Sequence, residues 1–458
     1  MDDVRIEYRI GDSAEQLKAV PAASVHFAMT SPPYWALRDY QVAGQIGLEK
    51  TPAEYIASLM AVFDQLHRAL RDDGTLVVNI GDTYFGDSPI RGGGRRSASR
   101  MGGLRQKSLT CIPERFVLAM IERGWILRNK VVWHKTNCMP TSAGDRLRCS
   151  WEPCFVFSKQ GKYYSDLEAV RRAHAEVSIT RSAPHRADVI GNIQHPQCAD
   201  GQTIKAPQFC NPAGANPGDV LELASQPSPI KHSAMYPVRL PLFFCRWLMP
   251  RKVCPECGKA WRRNIKTRLE HTTRKPAPNK GRLPQPGERI MGEQAANRTA
   301  DGWIPNREKI TTTLGWSPGC KCGKEPVGPT ILDPFAGPGT TAAAAEWLWR
   351  NPAEGMDTVL ANARTVPTRP GSGSKFVEGD GSKRPEYAKA RMVRTGTPTN
   401  VLQPFLPGKA VMIDLDARCE GLYRARRDEC FDSLGKKAEV SVAAAGEKLP
   451  LLAAMKGD

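Results

Sequence analysis

Two short segments and four cysteines carry residue types that could do chemistry. The first segment is Thr30-Ser31-Pro32-Pro33-Tyr34. Two consecutive prolines fix φ, so the segment is a stiff, extended arm. Such an arm can hold a side-chain oxygen (Ser31), a carbonyl (Pro32) and an aromatic face (Tyr34) at fixed distances around an amino group. Taken alone it also reads as an ordinary Pro-Pro turn with Tyr34 packed in the core. The second segment is DPFAGPGTT, Asp333 to Thr341. Here a strand runs into a glycine-bearing turn and a helix begins at once. Gly337 and Gly339 would let backbone approach a ligand, and the helix N-terminus presents free N–H groups. The spacing is not G-x-G-x-x-G, and no Lys follows the last glycine, so neither the dinucleotide fingerprint nor the P-loop is present. The next strand ends in Asp414, placed to accept hydrogen bonds from ribose hydroxyls by analogy with doubly wound nucleotide sites. A tight strand–helix turn without a ligand is the plain alternative.

The cysteines Cys254-Pro-Glu-Cys257-Gly and Cys320-Lys-Cys322-Gly form C-x-x-C and C-x-C knuckles, with 62 residues between the inner pair. Four thiolates would make a closed tetrahedral zinc site, and a glycine after each knuckle suits the turn that faces backbone N–H groups to sulfur. A redox pair or unbound thiols are the alternatives. The chain has 13 cysteines, and the other nine show no ligand spacing. The eight histidines form no metal-binding pattern, and His134, after Trp133 at a strand end, reads as structural or near the pocket rather than as a general base.

These segments need strands to deliver them. Val25 to Met29 is a short apolar run ending at Ser31-Pro32-Pro33, a buried strand feeding a loop. Residues 52–70 carry a 3.6-residue apolar stripe (Ile56, Leu59, Met60, Phe63, Leu66, Leu70). Thr51 as N-cap, Pro52 at N1 and Glu54 at N3 start a helix there. Asp72-Asp73-Gly74 should stop it, and Thr75 to Ile80 returns as a strand. Strand–helix–strand order predicts a parallel sheet with right-handed crossovers. Further along, the pattern predicts a helix near 112–123 and strands near 126–133 and 152–158. Residues 236–249 read as a helix, 330–332 as a strand, 340–349 as a helix, 410–415 as a strand and 418–434 as a helix.

The 458 residues give a prior of about three domains, or one domain with insertions. A hydrophobic fraction of 41% suffices for a core and excludes full disorder. No apolar run reaches the roughly 18 residues of a membrane span. The acidic, mixed N-terminus predicts no signal peptide, so free thiols and metal ligands are expected rather than disulfides. The net charge of +18 is uneven. Residues 1–90 hold 7 basic and 13 acidic residues, 91–110 hold six basic and no acidic ones, and 251–310 hold 15 basic and 6 acidic. Basic segments in Gly- or Pro-rich contexts suit the phosphates of nucleic acid, with solvated loops as the bland reading.

Taken together, TSPPY, then GTLVVNIGDTY, then DPFAGPGTT and an acidic strand end resemble the amino-directed DNA methyltransferases. The order, catalytic motif first and cofactor motif last, is similar to the β-class, a circular permutation of the usual arrangement. The resemblance spans about 1–85, 111–165, 236–250, 329–350 and 410–434. It implies an α/β, Rossmann-like methyltransferase fold with a mostly parallel sheet, a target-recognition segment and a zinc-knuckle insertion. On that frame 1–165 is the catalytic half, 166–235 the target-recognition segment, and 236–250 a core helix. Residues 251–328 are the basic zinc insert, 329–350 the cofactor motif and helix, 351–409 a low-pattern insert, 410–435 the end of the core, and 436–458 a disordered tail.

The resemblance also implies roles. Ser31, Pro32, Pro33 and Tyr34 match the catalytic motif. Phe335, Gly337 and Gly339 match the F-x-G-x-G cofactor motif, with Asp333 near the methionine moiety and Asp414 as the ribose-binding acid. Gly11-Asp12 resembles the pair that holds the cofactor's adenine. Residues 151–166 resemble the wall of a flipped-base pocket, which brings in Trp151 and Glu152. The implied cofactor is S-adenosyl-L-methionine, and the partners are double-stranded DNA and a cognate restriction endonuclease, in the cytoplasm of a bacterial or phage-infected cell. Ser in the first motif position favours cytosine N4 as target, with adenine N6 as the alternative. Rival readings are an inactive zinc-containing DNA-binding protein on this scaffold, and a methyltransferase of RNA or protein glutamine. The latter relatives usually place the glycine motif before an Asn-Pro-Pro-Tyr motif.

Overall fold

A computed structural model describes residues 4–86, 100–101, 104–172, 215–226, 235–272, 306–351 and 405–443. By internal contacts the chain divides into two units. The larger comprises 1–170, 218–262 and 316–458 and holds an eight-stranded sheet. In chain order its strands are β1 (Arg5–Ile10), β2 (Val25–Thr30), β3 (Leu70–Asn79), β6 (Ile126–His134), β7 (Trp151–Ser158), β8 (Val220–Glu222), β11 (Thr330–Asp333) and β12 (Lys409–Asp414). Two short strands, β4 (Arg100–Met101) and β5 (Leu104–Arg105), pair separately. The sheet order is β1-β12-β11-β2-β3-β7-β6-β8. Every pairing from β1 to β3 is parallel, and β7 alone runs against its neighbours.

Alternation along the strands sets three layers. Phe27, Met29 and Val77 face one core, which they share with α4 (Arg239–Leu248), α5 (Thr340–Arg350) and α6 (Arg418–Ala443). Val25, Ala28, Leu76 and Val78 face the other, with α1 (Ser13–Lys18), α2 (Pro52–Ala69) and α3 (Ile112–Glu122). All six residues of β2 are buried. That is the continuous apolar run expected of a strand covered on both faces.

The start of α2 is as the sequence dictates. Thr51 Oγ1 accepts from Glu54 N at 3.2 Å, and Glu54 Oε2 accepts from Thr51 N at 3.2 Å. Its end is not. The helix finishes at Ala69, and Leu70 is already extended, fully buried and paired with Val25. The register then jumps to Phe27 opposite Thr75, so Asp72-Asp73-Gly74 forms an excursion within β3 rather than a helix stop. Sheet pairing outweighed the local turn signal. The helix α6 continues to Ala443, eight residues into the 436–458 segment. Residues 444–458 lie outside the described residues, as do 87–99 of the Gly/Arg/Ser loop.

Two stretches without a sustained period contain strands. β8 lies within 166–235 and adds to the sheet edge through Val132 opposite Val220. The basic insert holds β9 (Arg262–Thr272) and β10 (Asn306–Ser317), a two-stranded ladder. Most of that ladder belongs to the second unit, which comprises 171–217 and 263–315. Within that unit Arg263 donates to Thr313 Oγ1 at 3.0 Å.

One buried histidine ties the starts of two strands to a neighbouring turn. His26 Nδ1 accepts from Thr330 N at 3.0 Å, which leaves Nε2–H to donate to the Gly258 carbonyl at 3.1 Å. Both bonds need a neutral ring, and burial drops its pKa to about 4. An unfolded histidine titrates near 6.5, so the folded chain binds this proton less well. The contribution is complete above about pH 6.5 and is lost as pH falls toward 4. Thermal melts of wild type and His26→Gln across that window should therefore converge on acidification, by up to about 3 kcal/mol. Parallel curves would contradict the neutral-ring arrangement.

Candidate active site

The ends of β2 and β11 lie side by side, with Phe27 opposite Ile331 and Ala28 opposite Leu332. From β2 the chain runs to β3 on one side, and from β11 to β12 on the other. The crevice above such a reversal is where open α/β sheets bind ligands. It is a cavity open to solvent. Ser31 and Pro33 line it from one loop, and Phe335, Gly337 and Asp414 from the other side. Asp12, Ser13, Tyr40, Ile46, Tyr236 and Thr340 complete its wall.

The glycine loop is held by its neighbours. Ala336 N donates to the Ile413 carbonyl at 3.0 Å, and Gly337 N to Asp414 Oδ2 at 2.7 Å. Ser13 Oγ donates to the Pro334 carbonyl at 2.6 Å. Gly337 and Gly339 have φ of 51° and 82°, in the left-handed region. A Cβ on Gly339 would lie 2.3 Å from Tyr8 Oη and 2.6 Å from the Tyr423 ring, so the tight turn admits no side chain. Asp414 Oδ1 accepts from Asp416 N at 2.9 Å, so both carboxylate oxygens already shape the loop. Asp12 caps α1, taking Glu15 N at 3.0 Å on Oδ1.

Asp333 lies beneath this loop rather than in the cavity wall. It is buried, and accepts from Thr341 Oγ1 at 2.7 Å and from Phe335 N at 3.1 Å. Burial raises its pKa to about 6 against the pull of those donors.

The Ser31-Pro32-Pro33-Tyr34 segment is fixed from below. Tyr55 Oη donates to the Pro33 carbonyl at 2.8 Å. Tyr34 Oη donates to Glu152 Oε2 at 2.8 Å and lies 3.2 Å from Asn79 Oδ1. Glu152 also accepts from Asn79 Nδ2 at 3.3 Å and pairs with Lys135. Burial, then the Glu152 charge, pushes the Tyr34 hydroxyl well above its ordinary pKa, so it stays a donor. Pro32, Tyr34 and Gly339 do not themselves line the cavity.

Three contributors escaped the sequence. Tyr236, just before α4, lines the cavity, and its hydroxyl pairs with Thr341. Residues 40–46 form one wall, and their only signal is that they follow TSPPY. Arg426 sits in a helix whose pattern suggests exposure, yet it is fully buried. Its Nε donates to Thr340 Oγ1 at 3.0 Å and its Nη2 to the Tyr236 carbonyl at 3.1 Å.

The sulfurs of Cys254, Cys257, Cys320 and Cys322 lie within 4.8 Å of one another. Gly258 and Gly323 both have φ of 67°. Backbone N–H groups of Cys257 and Glu256 bring Cys254 down to about 7. Four Zn–S bonds of about 2.3 Å would put the sulfurs about 3.8 Å apart, so the group fits a zinc ion. A second cluster, Asp82, Cys111 and Glu114, is a helix cap, with Asp82 accepting from Cys111 N at 2.9 Å and Ile112 N at 3.2 Å.

A DNA methylase family model, N6/N4 type, matches residues 25–277, more than half of the chain. The chain belongs to the N6/N4 DNA methylase family. The methylase is similar to the type II methyltransferase M.SfiI of Streptomyces fimbriatus, at 40% identity over 186 residues, 40% of this chain and 44% of that one. It is similar to M.SmaI of Serratia marcescens at 34% identity over 219 residues, 46% of this chain and 75% of the relative. The chain thus spans about half the length of the first of these relatives. A solved cytosine-N4-specific PvuII DNA methyltransferase aligns over 95% of this chain and 93% of that chain, at 14% identity and a TM-score of 0.43. Among the described residues no helix is long and apolar enough to cross a membrane.

The close packing under Tyr34 yields a test. A Cβ on Gly81 would sit 2.4 Å from Tyr34 Cε2, so Gly81→Ala must push the ring aside. Methyl transfer by Gly81→Ala should fall by about tenfold or more, the effect of a misplaced reacting group, while cofactor affinity stays within about twofold. Equal loss of both, measured by single-turnover assay and calorimetry, would argue against a specific role for the Tyr34 ring in the transfer step.

Proposed function

We propose that this methylase transfers a methyl group from S-adenosyl-L-methionine to the exocyclic amino group of a base in double-stranded DNA, with cytosine N4 the target. The observation that carries this reading is the shared cavity: Ser31 faces it from one loop, and Phe335, Gly337 and Asp414 from the other. Phe335 and Ile46 give it apolar walls, while Asp12 and Asp414 give it carboxylates near the glycine loop, a donor set that suits an adenosine with its ribose diol. When bound, S-adenosyl-L-methionine supplies a methyl group on a sulfonium.

The chain's own part is orientation. A base amino group is a poor nucleophile because its lone pair is delocalised into the ring. Accepting its hydrogens at Ser31 Oγ and the Pro32 carbonyl favours a more tetrahedral nitrogen. Tyr55 donates to the Pro33 carbonyl and so fixes the orientation of the segment. The base must leave the stack to reach this cavity. No covalent enzyme–base bond is needed, so the scheme asks nothing of the cysteines. Ser31 in the first motif position favours cytosine N4, and adenine N6 is the runner-up.

The four-cysteine cluster is assigned a structural zinc ion held by Cys254, Cys257, Cys320 and Cys322. Duplex DNA would meet the basic segments 91–110 and 251–310. The similarity to type II methyltransferases supports a cognate restriction endonuclease as partner and the cytoplasm as location.

Expression in methylation-free cells, followed by sequencing that separates N4-methylcytosine from N6-methyladenine, tests activity, base and site together. Ser31→Ala should lose methylation by about 100-fold or more while keeping cofactor affinity, in line with losing a positioned polar group. Joint loss of both would sink its assigned role. Metal analysis should find about one zinc per chain, released by a chelator with a drop in melting temperature. Zinc-free protein that melts and binds DNA normally would refute the metal assignment.

A further inference from the structure

The loop between β6 and β7 has features that the methyl-transfer scheme does not use. It rises from the sheet edge that carries Ser31, because β6 runs in the same direction as β2. Lys135 N donates to the Ser150 carbonyl at 2.8 Å and closes its stem. Two residues past that stem, Glu152 holds the Tyr34 hydroxyl.

The loop is braced on several sides. Asn137 exchanges two hydrogen bonds with Ser225, at 3.0 and 2.7 Å. Lys107 pairs with Asp145 at 2.7 Å. The Arg146 guanidinium lies 3.6 Å from the Tyr84 ring centroid, and Arg148 Nη1 donates to the Cys138 carbonyl at 3.5 Å. Between those two arginines, Leu147 is 91% exposed, and Met139 across the loop is 85% exposed. Among the described residues these are the most exposed large apolar side chains. A scattered surface leucine needs no explanation. One held out by bracing on both neighbours, beside two guanidinium groups and in the loop whose stem leads to Glu152, does.

We propose that Leu147 is a wedge that enters the base stack of duplex DNA at the position the target base leaves. This rests on the methyltransferase reading above. Flipping a base leaves an apolar gap in the stack, and Leu and Met are among the side chains that fill or unstack such steps. Arg146 and Arg148 put positive charge where the flanking phosphates pass. The stem links the wedge to Tyr34 through Glu152, so filling the gap and receiving the base occur on one rigid element.

The test uses a duplex bearing the site that the wild-type protein methylates, once fully paired and once with a mismatched base opposite the target. A mismatch weakens the pair, so it reduces the need for a wedge. Leu147→Ala should lower kcat/KM on the paired duplex by about tenfold, the scale of one apolar side chain leaving its contacts. It should recover most of that loss on the mismatched duplex, with cofactor affinity unchanged. Leu147→Met, which keeps the bulk, should stay close to wild type. No loss, or equal loss on both duplexes, overturns the wedge while leaving the methyltransferase reading intact. Wild-type protein that methylates no DNA overturns both.

Discussion

The parallel pairing of β2 with β11 is the constraint on which the site depends. These strands come from opposite ends of the chain, and their register, Phe27 opposite Ile331, sets Ser31 beside the glycine loop. Closing so long a connection costs entropy, but that cost grows only slowly with length. It is offset by burial on both faces: every residue of β2 is buried, as are Ile331 and Leu332. The permuted order needs nothing else, because a sheet is indifferent to which strand was synthesised first. What matters is that the chain leaves this pair in opposite directions and opens a crevice above it.

Two carboxylates, the half-buried Glu152 and the buried Asp333, turn that crevice into a fixed geometry. On one side, Glu152 gathers Tyr34, Asn79 and Lys135. On the other, Asp333 gathers Thr341 and the Phe335 N–H, while Arg426 joins Thr340 to the Tyr236 carbonyl. Burying these charges costs stability unless they are fully bonded, so they are poor explanations for fold strength. They are better explanations for position. Each reaches from a loop lining the cavity to an element of the packed core. The rise of Asp333 to about 6 is the sign that burial has outweighed its donors.

Much of this was legible because the signals were local. Thr51, Pro52 and Glu54 fix a helix start within four residues, and the apolar run at 25–29 needs only its own length to read as a buried strand. TSPPY and DPFAGPGTT announce loops, and their order along the chain carried the family. What could not be read depends on contacts between distant residues. Asp72-Asp73-Gly74 looks like a helix stop until Leu70 pairs with Val25. Arg426 looks like a surface residue until Thr340 and Tyr236 close over it. Tyr34 reads from the sequence either as a stacking face or as a ring packed in the core. It proves to be seated on Gly81 and bound through its hydroxyl to Glu152, a residue the sequence singled out only through resemblance.

The same sheet argues about the metal cluster. His26 opens β2 and Thr330 opens β11, and the Gly258 carbonyl of the first knuckle hydrogen-bonds to the one while the other bonds to that same ring. The knuckle therefore sits at the starts of the strands whose ends form the cavity. Six residues of β2 separate the two edges, a span of about 20 Å at about 3.3 Å per residue. A metal held there would lie at the opposite edge of the sheet from the cavity. What it can do is close the ends of a long basic insertion onto the one strand pair whose register the site requires. The +18 charge then divides by position: an acidic first segment carries the Ser31-Pro32-Pro33-Tyr34 loop, and much of the excess basic charge is carried by insertions into the sheet's connections.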